Sequence, residues 1–262
     1  MSNTIAKDSS RAKNKVASIL VTQPQPTDEN SPYLQLAKKY KLKVDFRPFI
    51  EIESVPLKDF RKQKLNITDY TAIILTSRNA VDNFFRLCQE SRIDISPDMK
   101  YFCVSEQTAN YLQKYIVIRK RKVFVGAKTA ADLTEIIKKH KTEKYLYPCS
   151  DIRTGDIPDF LRKNGYVFAE AVMYRTVASD LSDLAEVNYD VIAFFSPSGI
   201  DSLFTNFPDF KQNNTRIAAF GPTTAQAVRD AGLVLDIEAP MPNAPSMTGA
   251  LELYIKAANG IK

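Results

Sequence analysis

Histidine occurs once in the 262 residues, at His140, tryptophan is absent, and there are three cysteines. One imidazole excludes a histidine-rich metal centre, and His140 sits in the lysine-rich stretch KKHKTEK, a poor place for general-base activation of a nucleophile. Cys88, Cys103 and Cys149 are odd in number, widely spaced and set among apolar neighbours. That pattern excludes a disulfide framework and metal-ligand spacing, and reads as reduced core thiols. HExxH, CxxC, Walker A and GxGxxG motifs are all missing. No run of about 18 apolar residues occurs, so no membrane-spanning helix is expected. Residues 1–17, MSNTIAKDSSRAKNKVA, lack the apolar centre of a secretory signal. They read as a flexible basic tail, and a cytoplasmic location is expected.

What is present is an ordinary globular composition, 44% hydrophobic and 25% charged, with a formal net charge of +6. The excess favours an acidic partner. The basic clusters KKYKLK, RKRK and KKHKTEK read as solvated helix ends and turns. They lack the aromatic interleaving of a single-strand binding surface, so a small polyanion is preferred to nucleic acid. A monomer is expected.

Short apolar runs alternate with amphipathic segments along the whole chain, the pattern of parallel α/β units. Strands are expected at SILVT, KVDFR, AIILT, YFCVS, KVFVG, YLYP, VFAEAVMY, VIAFFS, RIAAFG and LVLDIEA. In NAVDNFFRLCQE, residues Ala80, Val81, Phe84, Phe85 and Leu87 make one helical face. An internal repeat is also legible. YTAIILTSRNAVDNFF aligns with YDVIAFFSPSGIDSLF, bringing Ser77 onto Ser196 and Phe85 onto Phe204. VSEQTANYL aligns with FGPTTAQAV, and KTAADLTEII resembles PSMTGALELYI. ILVTQP with LQLAKKYKLKVDFRP resembles YLYPCS with IPDFLRKNGYVFAEA, so the two copies are not in simple tandem. The second copy of this strand–helix–strand piece closes a central block, while the first serves the final block. The expected organisation is a discontinuous first domain, 18–47 with 175–262, and a second domain, 48–174, with crossings near 48 and 173. Two crossings would form a hinge, with a ligand cleft between the domains. A single doubly wound sheet of about ten strands is the alternative.

Ligands of open parallel sheets sit beyond the carboxyl ends of the strands, where helix N-termini point. Hydroxyls and glycines gather there in this chain: Thr76, Ser77 and Asn79; Ser105 and Thr108; Ser196, Ser198 and Gly199; Gly221, Thr223 and Thr224. Ser246 belongs to the same group of turns. Each turn also reads as helix capping, since these side chains accept from free first-turn N–H groups. The same N–H groups and the helix dipole make the turns anion sites. Arg153, in CSDIRTGD, offers a bidentate partner for a carboxylate. Tyr174, at the return crossing, offers a phenol to the cleft, and packing of the linker accounts for it equally well. Catalysis, if present, would rest on binding and orientation.

The segments ILVTQP, DYTAIILTSRNAV, YLYPC with IPDFLRKNGY, VMYRTV, FFSPSGI, FGPTTA and APMPNAPSM run in order over residues 18–255. In this order the chain resembles the uroporphyrinogen-III synthase family, which closes the linear tetrapyrrole hydroxymethylbilane into a ring. FFSPSG followed by GPTTA carries most of the specificity. Gln23 departs from the arginine of many members, and VSEQTA lacks the glycine common in the family. The resemblance implies two similar parallel-sheet, flavodoxin-like α/β domains joined by a two-segment β linker, without metal or cofactor. It implies a substrate with eight carboxylates, held by the Ser/Thr-rich turns, and Tyr174 as the residue assisting departure of the hydroxyl. A non-catalytic two-domain receptor for a small polycarboxylate is the alternative of another class.

Overall fold

A computed structural model describes residues 14–119, 121–153, 155–185 and 187–261. The first thirteen residues of the expected basic tail lie outside the described residues. The chain divides into two compact units, one of residues 1–51 with 177–262 and one of residues 52–176. The divisions fall a few residues later than positions 47 and 174, inside the crossing strands Ile50–Ser54 and Phe168–Ala178.

The discontinuous unit is built on strands β1 (Ser18–Val21), β2 (Lys43–Phe46), β9 (Val191–Phe194), β10 (Arg216–Phe220) and β11 (Leu235–Ala239). They pair in the order β11-β10-β9-β1-β2, all parallel. Helices α1 (Pro32–Tyr40), α7 (Pro197–Asn206), α8 (Pro222–Asp230) and α9 (Met247–Asn259) connect and cover them. Alternate residues of one strand feed opposite faces of the sheet. Val191 and Ala193 join one apolar cluster with Leu251 and Ile255 of α9, while Ile192 and Phe194 join the other with Ile200, Leu203 and Val228. A strand covered on both faces needs an unbroken apolar run, which is why VIAF carries no polar residue.

The continuous unit holds β4 (Ala72–Leu75), β5 (Lys100–Cys103), β6 (Val123–Val125), β7 (Tyr145–Ser150) and β8 (Phe168–Ala178). With β3 (Ile50–Ser54) they form the sheet β3-β8-β7-β4-β5-β6. Its helices are α2 (Leu57–Arg61), α3 (Arg78–Glu90), α4 (Glu106–Leu112), α5 (Ala130–Ile137) and α6 (Asp156–Lys163). Ile73 and Leu75 pack on one face with Val81, Phe84 and Leu87 of α3. Ala72 and Ile74 pack on the other with Leu133, Ile137 and Leu161. Full burial of side chains of this size contributes roughly 1.5–3 kcal/mol each.

The two sheets share one plan. Starting from β7 and passing to β8, β4, β5 and β6, the second follows the spatial order 2-1-3-4-5 that the first follows from β1. The paired runs read from the sequence are therefore equivalent strands of one α/β topology, permuted in chain order. The crossing strand β3 is not among the runs expected from the sequence. Its residues are mostly exposed, and it lacks the apolar signature of the others.

Candidate functional site

Because β4 to β8 run parallel, their carboxyl ends line one edge of the sheet. Beyond β4, Ser77 is the N-cap of α3, its Oγ accepting from the Ala80 N–H at 3.1 Å. Beyond β5, Ser105 caps α4, accepting from the Thr108 N–H at 3.4 Å, and the two hydroxyl oxygens lie 3.2 Å apart. Thr108 itself is buried. In each turn the cap satisfies the third first-turn donor, while the earlier N–H groups have no intrahelical acceptor. Capping and anion binding are therefore compatible in one turn.

Tyr174 reaches this edge through an irregularity in β8. Up to Cys149–Val172 the β7–β8 register is regular, and then Ser150 aligns with Tyr174, leaving Met173 as the extra residue of a bulge. Strand alternation would send Met173 and Tyr174 to opposite faces. Both instead pack in the cluster of Ile73, Leu75 and Phe84. The bulge thus turns the phenol onto the face of α3, where its hydroxyl lies 3.4 Å from Ser77 Oγ. At 7% exposure its hydroxyl titrates above the ordinary value because burial penalises the phenolate, an effect that the Ser77 hydroxyl opposes. Tyr174 is a neutral donor across the physiological range.

The neighbouring Thr76 is half-buried beside a second phenol, Tyr147 of β7. Burial pushes Tyr147 up to about 12, with the Thr76 hydroxyl acting in the opposite sense. Asn79 is exposed, and its carbonyl accepts from the Asn83 side chain at 3.0 Å. Arg153 is engaged within its own unit. Nε donates to Glu170 Oε2 at 2.6 Å, Nη2 donates to the same oxygen, and Nη1 donates to the Asp151 carbonyl at 3.2 Å. A substrate carboxylate would have to compete with Glu170 for that fork.

The other unit repeats the arrangement. Ser196 caps α7, accepting from the Gly199 N–H at 3.3 Å, and Ser246 caps α9, accepting from the Gly249 N–H at 3.1 Å. Gly199 is buried, and a Cβ there would stand 3.3 Å from the Phe194 ring, so a side chain is accommodated poorly. Ser198 is half-buried, one residue before it. Gly221 takes the N-cap position of α8 at φ 87 and ψ 152, a conformation open essentially to glycine alone. Of the two threonines that follow, Thr223 is exposed and Thr224 is buried.

Two contributors at these strand ends escaped the sequence reading. Thr129 caps α5 in a reciprocal box with Asp132, and its signal was the resemblance of KTAADLTEII to PSMTGALELYI, which places it opposite Ser246. Thr22, at the end of β1, is buried and donates to the Ala193 carbonyl at 2.9 Å. A lone threonine after an apolar run carries no such signal. His140 packs against the rings of Phe124 and Phe102, at 4.2 and 5.3 Å between centroids, away from these turns in the chain. Burial first, and then the Lys100 ammonium, hold it below its ordinary pKa. Among the described residues no cluster of His, Cys, Asp or Glu suited to a metal ion is found, and no helix is long and apolar enough to cross a membrane.

Comparison with known proteins agrees with this architecture. A uroporphyrinogen-III synthase from Chlorobaculum parvum is 25% identical over 253 residues, covering 91% of this chain and 99% of the relative. The Saccharomyces cerevisiae uroporphyrinogen-III synthase is 26% identical over 239 residues, covering 80% of this chain and 86% of the relative. In fold, the Helicobacter pylori uroporphyrinogen-III synthetase structure superposes with a TM-score of 0.57 at 21% identity, over 92% of this chain and 99% of that one. A mutant uroporphyrinogen III synthase from Thermus thermophilus gives 0.53 at 15% identity, over 93% and 99% of the two chains. The sequence model of the uroporphyrinogen-III synthase HemD family matches residues 31–249, and the chain belongs to that family, cyclising lyases of heme biosynthesis.

Proposed function

We propose that this chain converts hydroxymethylbilane to uroporphyrinogen III, with Tyr174 assisting the first step and the strand-end turns holding the carboxylates. The supporting observation is the placement of Tyr174 OH 3.4 Å from Ser77, on the edge where the α3 and α4 N-termini emerge. A neutral phenol donates to the hydroxymethyl oxygen as its bond to carbon breaks, and the oxygen leaves as water. The resulting azafulvene on ring A is attacked by the substituted carbon of ring D. The spiro intermediate fragments and recloses with ring D inverted, losing a proton to restore the aromatic pyrrole.

The azafulvenium ion formed as the hydroxyl leaves is a cation stabilised by the pyrrole nitrogen, so its formation needs modest help, and the larger task is orientation. Unaided substrate closes to the unflipped type I isomer. First-turn N–H groups beyond Ser77, Ser105, Ser196, Gly221 and Ser246 would bind acetate and propionate groups. The hydroxyls of Thr76, Thr108, Ser198, Thr223 and Thr224, with Asn79 and the backbone at Gly199, supplement them. Arg153 would join through exchange of Glu170. In this reading the protein works without metal or cofactor, and it functions as a monomer in the cytoplasm.

Purified protein incubated with freshly made hydroxymethylbilane should give the type III isomer, resolved from type I by chromatography. Type I alone, at the rate of the protein-free control, would leave a polycarboxylate-binding protein without this activity.

A further inference from the structure

We propose that Gln63 is the positioning residue for Tyr174, a carboxamide clamp that holds the β8 bulge in register. This rests on the reading of Tyr174 as the hydroxyl-assisting donor. Gln63 follows α2, half-buried, and its side chain treats Val172 as a neighbouring strand would. Nε2 donates to the Val172 carbonyl at 2.8 Å, and the Val172 N–H donates to Oε1 at 3.0 Å. One residue on, the Met173 carbonyl accepts from the Val55 N–H at 3.0 Å. Neither group lies on β7. Carbonyls of successive residues in a regular strand point to opposite flanks, yet Val172 and Met173 both accept from groups outside β7. The next carbonyl, that of Tyr174, returns to the β7 side and accepts from the N–H of Asp151, the residue after β7, at 3.3 Å.

The bulge is therefore held by two anchors immediately before Tyr174, and the first is a side chain. The Val167 carbonyl accepts from the Tyr145 N–H of β7, so alternation turns the Val172 backbone to the other flank, where Gln63 supplies both partners; Met173, the extra residue, is held on the same flank by Val55. Without it, the pull of the regular β7–β8 ladder favours closing the register by one residue. That slip sends Tyr174 to the opposite face, away from Ser77. No other side chain makes a paired two-way contact with the backbone of β8 among the described hydrogen bonds.

A double-mutant cycle tests the clamp. Gln63→Leu keeps the volume and removes both hydrogen bonds. It should lower kcat for type III formation by about tenfold or more, since misplacement by about 1 Å costs up to about 10²-fold, with KM little changed. In a Tyr174→Phe background the same substitution should have almost no further effect, because residues acting through one group are non-additive. Amide exchange at Val172 should accelerate in Gln63→Leu. Should that variant fold poorly, Gln63→Glu keeps the acceptor for the Val172 N–H and loses the donor, and a kcat loss confined to the Tyr174 background serves equally. A full-rate Gln63→Leu beside an impaired Tyr174→Phe overturns the clamp and leaves the role of Tyr174 standing. Equal losses in both backgrounds also overturn it, since they mark a structural residue. Full activity of Tyr174→Phe removes the reading on which the clamp rests.

Discussion

The hydroxyls of Tyr174 and Ser77 lie 3.4 Å apart although 97 residues separate them in the chain. Ser77 arrives there as the cap of α3, and Tyr174 arrives from β8 through the extra residue Met173. The separation is long for a hydroxyl pair, whose usual range is about 2.5–3.0 Å. Ser77 already accepts from the Ala80 N–H, so the phenol is not held in a strong bond and keeps its proton available to a third oxygen. The same geometry separates function from stability at this position.

Tyr174→Phe should lower turnover by about 10²-fold, the low end of general-acid assistance, because departure of the leaving group generates a stabilised cation. Melting temperature and product affinity should change little, since the ring and its packing remain. Steady-state rates of type III formation, with a calorimetric scan of the same preparation, check both halves of this expectation. An unimpaired variant would assign Tyr174 to packing.

Ser196→Ala removes the side-chain acceptor of the Gly199 N–H, leaving the Ser196 carbonyl at 3.1 Å, and should reduce stability by about 0.5–2 kcal/mol. If the hydroxyl also meets a substrate carboxylate, binding should weaken by about 1.5–3 kcal/mol as well. Thr224→Ala should show the binding loss in the same range. Melting curves and product-binding isotherms of the two variants separate the contributions, and unchanged affinity in both would return the turn to capping alone.

Gly221→Ala should destabilise by about 1–3 kcal/mol even though, apart from its immediate chain neighbours, nothing lies within 4 Å of the added methyl. The cost is conformational, because an L-residue disfavours φ 87 regardless of space. Denaturant unfolding measures it. A neutral result would mean that the turn relaxes to another conformation, which should then appear as lost substrate affinity.

The three thiols should be silent toward a thiol reagent in the native protein and titrate together on unfolding. Burial pushes Cys88 and Cys103 from 9.0 up to about 12 and Cys149 to about 11. In the native state they keep their protons through a pH range in which the unfolded chain releases them. Stability should therefore be insensitive to them below about pH 8.5 and fall as pH rises from about 9 toward 12. Urea melts across that range give the slope, and a rising midpoint between pH 9 and 11 would contradict the burial of these groups.

Much of this molecule is written in the local pattern of the chain. Runs such as AIIL and VIAF demand cover on both faces. The hydroxyls at Ser77, Ser105, Ser196 and Ser246 mark helix starts. The offset that brings Ser77 onto Ser196 exposes one topology used twice. These features are legible because each depends on neighbours within one strand or one helical turn. The crossing strand β3 was legible only through the family resemblance, which implies a two-segment β linker, since its exposed residues lack the apolar face that marks the other strands. The fork of Arg153 was not legible, since its partner Glu170 comes from the adjacent strand. The orientation of Tyr174 is the clearest case. Alternation in VMYRTV assigns Met173 and Tyr174 to opposite faces, and both lie on one. That outcome depends on hydrogen bonds from Gln63 and Val55, more than a hundred residues earlier in the chain. Local sequence specifies which residues seek burial or a cap, whereas a bulge is settled by which distant groups satisfy the backbone, and only the folded chain brings those groups together.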